Sequence, residues 1–101
     1  RARATKIDDA VIDYVLRLVR QSRSLPSLSL GASPRAAVML MQSAKALATL
    51  RGRDYASPDD VRAVAAPVLR HRIRLTPEAE IQGLAPDACI QSLMTQVAVP
   101  R

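Results

Sequence analysis

Four short segments of this chain have the signature of a helix that begins with proline in its first position. They are Ser33-Pro34, Ser57-Pro58, Thr76-Pro77 and Ala85-Pro86. Proline suits this position because the first helical amide has no partner within the helix, and a preceding Ser or Thr can cap the helix. With a further start near residues 8–9, these signals divide the 101 residues into short helical segments. The sequence therefore predicts an all-α fold.

The spacing of apolar residues indicates four helices, over about residues 8–22, 34–51, 57–69 and 86–97. The second is apolar on nearly every side, which predicts a place at the centre of a bundle. Pro67 is expected to kink the third helix or end it early. We expect a loop over residues 22–32, a short extended segment near residues 70–76, and at most one helical turn over residues 76–83. The predicted architecture is a small bundle of about four helices.

The composition supports this fold class. Hydrophobic residues make up 49% of the chain, yet Phe and Trp are absent and Tyr occurs twice. A core of small aliphatic side chains favours closely packed helices over an aromatic-rich sheet. The one cysteine, Cys89, excludes an internal disulfide and a cysteine-based metal site, so a reducing, cytoplasmic location is expected. No segment resembles a membrane span or a signal peptide.

The chain carries a net charge of +6, which predicts a polyanionic partner. DNA is one alternative, because the third helix and the basic segment Arg70–Arg74 could imitate a recognition helix with a basic wing. Against the DNA alternative, the middle of that helix offers a single basic side chain, Arg62, to read base edges. Nucleic acid is therefore the less favoured partner. A protein-interaction bundle without a nucleotide role is the other alternative.

Arg35 departs from the charge pattern of the other helix starts. Each of those has Asp or Glu in its first turn, where the positive end of the helix dipole favours negative charge. Arg35 instead follows Pro34 in the first turn of the second helix. A cation beside helix amides can bind a phosphate, although a solvated or internally paired arginine is the alternative.

Several strings resemble the C-terminal lid of MoxR-type AAA+ ATPases. They are Gly31-Ala32-Ser33-Pro34-Arg35-Ala36, Leu50-Arg51-Gly52-Arg53-Asp54-Tyr55, Ser57-Pro58-Asp59-Asp60-Val61 and Val68-Leu69-Arg70-His71-Arg72. The likeness covers about residues 8–100. It implies that residues 1–101 form one lid domain, and that the α/β nucleotide-binding domain of the intact protein is absent from this fragment.

The resemblance also implies a site. Arg35 matches the sensor-2 arginine that approaches the ATP phosphates, and Gly31, Ser33 and Pro34 form the supporting helix N-terminus. ATP and Mg²⁺ are expected in the full-length protein and neither in the isolated fragment. Whether Arg35 serves its own nucleotide or that of a neighbouring subunit stays open.

The implied partners are the protein's own AAA+ core domain, neighbouring subunits of a homo-oligomeric ring that is expected to be hexameric, and von Willebrand factor A-type proteins. The function implied for the whole protein is that of a chaperone-like ring ATPase. Arg70, His71 and Arg72 are candidate interface residues, with a solvated basic strip as the alternative. The chain has no phosphate-binding loop, so we expect no catalytic residue, no metal ligand and no ATP hydrolysis in the fragment.

Overall fold

Helices dominate the described part of the chain, residues 6–31 and 33–100, in a computed structural model. In chain order the elements are α1 (Asp9–Ser22), β1 (Leu28–Leu30), α2 (Pro34–Leu50), α3 (Pro58–Leu69), β2 (Arg74–Leu75), α4 (Pro77–Ile81) and α5 (Pro86–Gln96). The predicted all-α bundle is confirmed, with four longer helices and a single-turn α4 over the segment expected to hold at most one turn. Ala32 lies outside the described residues.

The two short strands form an antiparallel pair in which Leu28 faces Leu75. The prediction of a loop over residues 22–32 is therefore wrong at β1. The extended segment expected near residues 70–76 is confined to β2. Arg70 instead keeps a helical conformation as the C-cap of α3, and its amide donates to the Ala66 carbonyl at 2.9 Å.

Helix α2 packs between α1 and α3, as its apolar composition predicts, and its most extensive contact is with α3. Its buried positions are mainly alanines, which allow the neighbouring helices to approach closely; they are Ala36, Ala37, Leu40, Ala44 and Ala48. Helix α2 is nevertheless open to solvent on part of its surface, since Val38 is 51% exposed and Leu50 is 84% exposed.

Pro67 lies inside α3, which continues to Leu69. Of the two expected effects of this proline, a kink or an early end of the helix, the early end is wrong. Proline removes one backbone donor and crowds the preceding turn. Only two helical residues follow Pro67, and the second, Leu69, is fully buried in the core. Packing of that side chain offsets the weakened last turn.

Candidate functional site at the start of helix α2

Arg35 is the second residue of α2, directly after Pro34, and its side chain is exposed. It makes no side-chain hydrogen bond or ion pair with any other described residue. The first turn of α2 contains no acidic residue, whereas the first turns of α1, α3, α4 and α5 each contain at least one. The charge pattern predicted for the helix starts is confirmed, and the internally paired alternative for Arg35 finds no partner among the described residues.

The capping of α2 is also unusual. Ser33 occupies the N-cap position with an extended backbone, but its hydroxyl makes no capping hydrogen bond. In α1, α3 and α4 the capping side chains of Asp8, Ser57 and Thr76 each accept a hydrogen bond from an amide of the first turn. Helix α2 therefore begins with neither a side-chain acceptor nor a carboxylate to balance its positive end.

At Gly31 the segment before α2 passes very close to the end of α1. A methyl group built on its Cα would lie 2.8 Å from both the Cα and the amide nitrogen of Arg23 and 2.9 Å from the Ser22 carbonyl carbon. These are backbone atoms at the end of α1 and cannot move aside as a flexible side chain would. The absence of a side chain at Gly31 thus allows the segment before α2 to lie directly against the end of α1.

We expect Gly31→Ala to destabilise the domain by about 1–3 kcal/mol, the usual cost of forcing an extra carbon into a packed site. Denaturant unfolding of both proteins measures the loss. Gly83→Ala is the matched control, because a Cβ at Gly83 meets no atom within 4 Å and suffers only from the positive φ of 79°. Gly83→Asn should be more stable than Gly83→Ala, since Asn tolerates a positive φ better than Ala does. Equal stability of wild type and Gly31→Ala would contradict the close approach.

A buried carboxylate joins the end of α2 to the start of α3. The side chain of Asp60 has no exposed surface, and Arg53 binds both of its oxygens, Nη1 to Oδ2 at 2.8 Å and Nη2 to Oδ1 at 2.6 Å. Arg51 reaches Oδ1 at 3.3 Å, and the Ser57 amide donates to Oδ2 at 2.8 Å. Ser57 and Asp60 thereby form a capping box at the start of α3. The cluster fixes the corner between the two helices.

The electrostatics of this corner favour the charged carboxylate. Burial alone would raise the pKa of Asp60, but the hydrogen bonds from Arg53 and Ser57 and the positive charge of Arg53 outweigh it and lower the pKa below its usual value. The pKa of Arg53 is raised, chiefly by its hydrogen bond to Asp60. Arg53 also lies over the Tyr55 ring, 5.5 Å from its centroid. These charges act inside the domain, and the Arg35 guanidinium takes no part in this cluster.

The three candidate interface residues after α3 differ in their surroundings. Arg70 forms a bidentate pair with Asp87 in the first turn of α5, Nε to Oδ1 at 2.8 Å and Nη2 to Oδ2 at 2.7 Å. His71 is exposed and Arg72 half-buried. No hydrogen bond or ion pair among the described residues joins any of the three to Arg35. The Arg70 guanidinium thus links two helix ends, and an interface role for these residues stays a prediction.

The pairing of Arg51 and Arg53 with Asp60 was not predicted from the sequence. The available signal was two arginines shortly before an acidic N-terminal turn that begins with the capping-box pattern Ser57-to-Asp60. The pairing of Arg70 with Asp87 had no such signal, because it depends on how the end of α3 meets the start of α5.

Two searches of residues 6–31 and 33–100 bear on other functions. In that part of the chain no group of three or more His, Cys, Asp or Glu side chains could hold a metal ion. The helices described there are too short or too polar to cross a bilayer.

Comparison with known proteins places this fold in a defined class. The AAA lid domain family matches residues 20–93. The chain is similar to the uncharacterized protein YeaC of Bacillus subtilis, with 40% identity over 95 residues, 94% of this chain and 30% of that protein. It is 38% identical to Chaperone MoxR1 of Mycobacterium tuberculosis over 104 residues, 94% of this chain and 28% of that protein.

A solved structure shares the fold. The crystal structure of a "putative ATPase" from Cytophaga hutchinsonii matches 99% of this chain and 33% of its own, with a TM-score of 0.92 and 30% identity. The class defined by this helical architecture is the lid domain of AAA+ ATPases. The chain belongs to the AAA lid domain family, and its relatives include proteins named MoxR, consistent with a lid of the MoxR type. It spans less than a third of the length of YeaC and of Chaperone MoxR1.

Proposed function

We propose that this chain is the lid that closes over ATP held by an α/β nucleotide-binding domain of the same protein, and that Arg35 contacts the β- and γ-phosphates. One observation carries the proposal. The start of α2 presents an exposed arginine without an internal partner, in a first turn that lacks any carboxylate. The family assignment supplies the anion that such a site would meet.

The mechanism is electrostatic. The guanidinium offers a planar pair of donors that match phosphate oxygens, and the adjacent helix dipole adds a positive potential. Negative charge that moves onto the β/γ-bridge and the γ-phosphate oxygens during hydrolysis is stabilised by a cation already in position. Because ATP and ADP differ in the γ-phosphate, the orientation of the lid depends on which nucleotide is bound. Mg²⁺ would be held with the phosphates by the nucleotide-binding domain.

The wider assembly follows from the relatives. Proteins named Chaperone MoxR1 and Protein MoxR match 94% and 69% of this chain. We accordingly propose a cytoplasmic, chaperone-like ATPase that forms a homo-oligomeric ring, expected to be a hexamer, and that acts with von Willebrand factor A-type partners. Arg70, His71 and Arg72 are the candidates for contact with the core domain or the next subunit.

Binding of ATP and of ADP tests the phosphate contact directly. In a full-length protein that carries this lid, Arg35→Ala should weaken ATP binding by about 10- to 100-fold, the range for one hydrogen bond to a charged group, and ADP binding less. Calorimetric titration in the presence of Mg²⁺ gives both affinities. Arg74→Ala removes an exposed arginine from β2 and should leave the ratio of ATP to ADP affinity unchanged. An unaltered ratio in Arg35→Ala would refute the contact.

The DNA-binding alternative loses support in the folded chain. Arg70, which was to begin the basic wing, is neutralised by Asp87. Arg62, the basic side chain in the middle of α3, lies with its Nη1 3.4 Å from the Tyr14 hydroxyl. No specific contact favours a second function, and the lid remains the proposal.

A further inference from the structure

An apolar groove with a basic rim runs between α1 and α2. We call it the basic groove; its lining residues are Leu16, Val19, Arg20, Arg23, Pro34, Ala37, Val38 and Met41. Leu16 and Val38 leave apolar surface exposed in it, and none of the lining residues is acidic. The Arg20 side chain is exposed and pairs with no carboxylate in the described part of the chain. The groove therefore suits a ligand that combines apolar side chains with carboxylates.

The turn after α4 has the opposite character. We call this surface the acidic tip; it consists of Glu78, Glu80, Ile81 and Leu84. Ile81 is 86% exposed, Leu84 is also exposed, and both glutamates are exposed without an ion-pair partner among the described residues. Two backbone hydrogen bonds define the turn: the Gly83 amide donates to the Glu80 carbonyl and the Leu84 amide donates to the Ala79 carbonyl, both at 3.0 Å. Two apolar side chains and two carboxylates are thus presented on one ordered turn.

We propose that the acidic tip of one copy of this chain binds in the basic groove of a second copy. Ile81 and Leu84 would cover the apolar floor formed by Leu16 and Val38, and Glu80 would pair with Arg20 at the rim. The occupant is argued from complementarity, since the chain itself carries both the apolar and the acidic features that the groove lacks. The inference is independent of the proposed phosphate contact of Arg35.

The geometry of such a contact has a consequence for assembly. In the proposed contact one tip binds one groove, so the arrangement is head-to-tail and the pair keeps one free tip and one free groove. Copies would therefore add in series, and they would close into a ring only if the rotation that relates successive copies completes a full turn. Two apolar side chains bury little area, which makes the isolated contact weak; it strengthens when other contacts hold the copies side by side.

Sedimentation velocity of this chain at increasing concentration, up to about the millimolar range expected for a contact of this size, tests the proposal. The weight-average mass should rise from the 10.9 kDa of one copy without levelling at a dimer, and the rise should weaken as salt screens the Glu80–Arg20 pair. A mass that stays at one copy throughout, or that levels at a dimer, would overturn it.

Charge reversal identifies the pair. Arg20→Glu and Glu80→Arg should each abolish the rise. A mixture of the two variants should associate in series with alternating copies, because the basic tip of one binds the acidic groove of the other and the acidic tip of the other binds the basic groove of the first. The double variant, whose net charge equals that of the wild type, should associate in series again. Failure of the double variant to recover association would overturn the proposal.

A matched pair of apolar substitutions distinguishes this contact from nonspecific hydrophobic association. Ile81→Ser should reduce association by about tenfold or more, because it removes the apolar centre of the tip. Leu50→Ser removes a side chain that is equally exposed but lies at the end of α2, outside both surfaces, and should have no effect. Both side chains lie almost wholly in solvent, so neither change should unfold the domain. An equal effect of the two substitutions would refute the assigned surfaces.

Discussion

Arg35→Ala is expected to lower kcat for ATP hydrolysis by about 10²- to 10³-fold in a full-length protein that joins this lid to its nucleotide-binding domain. The magnitude is that of removing one preorganised donor from a site where negative charge develops. Arg35 is suited to this role because it is exposed, is not paired within the described chain and lies at the positive end of α2. Steady-state phosphate release at saturating ATP measures the effect.

Two further variants decide how Arg35 acts. Arg35→Lys keeps the charge but loses the two-pronged donor geometry, so its kcat should fall between those of the wild type and Arg35→Ala. Arg74→Ala is the matched control, and its turnover should equal that of the wild type. The Arg35→Ala chain should be as stable as the wild type or slightly more so, since a cation is removed from the positive end of a helix. Wild-type turnover in Arg35→Ala would refute the assignment.

Asp60→Ala is expected to reduce the free energy of unfolding by about 3 kcal/mol, the lower end of the range for removing one partner of a buried ion pair. The lower end applies because the Arg53 side chain is 26% exposed and can turn partly to water once its partner is lost. The substitution also removes the capping-box acceptor for the Ser57 amide. Denaturant unfolding at neutral pH measures the change.

The pair Arg70–Asp87 is the natural control for this result. It is also bidentate, through Nε and Nη2 of Arg70 where Arg53 uses its two Nη atoms, but its two side chains are about half exposed. Water already solvates these charges, so Asp87→Ala should lower the free energy of unfolding far less than Asp60→Ala does. Similar losses in the two variants would show that burial does not give the Asp60 cluster its strength.

Acid should remove the stabilisation that Asp60 provides. Its pKa is lowered in the folded chain, so the unfolded chain binds the proton more readily, and stability rises with pH across this range. The contribution is complete above the pKa of an unfolded aspartate, about 3.9, and is lost as the pH falls through the lower folded value. The difference in unfolding free energy between wild type and Asp60→Asn should shrink as the pH falls from about 5 to about 2. Taking this difference cancels the parallel contribution of Asp87, whose pKa is also lowered.

The helix starts were predictable because their causes are local. Ser57 caps α3 as its residue type predicts, and Pro34, Pro58, Pro77 and Pro86 all occupy the first helical position. The exception at Arg35 could be recognised for the same reason, since the charge pattern of a first turn lies within a few adjacent residues. The Ser33 hydroxyl shows the limit of such reasoning, because residue type favours a cap but does not ensure its hydrogen bond.

Features that join distant segments were not predictable. The strand β1 exists only because β2 lies beside it, and a three-residue segment gives no periodic signal of its own. Pro67 does not end α3, since burial of Leu69 offsets the local cost. Arg70 meets Asp87 across 17 positions of sequence, where only the packing of α3 against α5 brings them together.

The amino-acid sequence by itself determined where the helices begin, the charge that each start carries, and the family to which this lid belongs, because caps, dipoles and motifs act over a few residues. Tertiary structure alone decided which charges are neutralised and which stay available. Asp60 pairs with Arg51 and Arg53, and Asp87 pairs with Arg70. Arg35 remains exposed without a partner in the described chain. That outcome depends on desolvation and on distances between helices, and both exist only after the helices have packed.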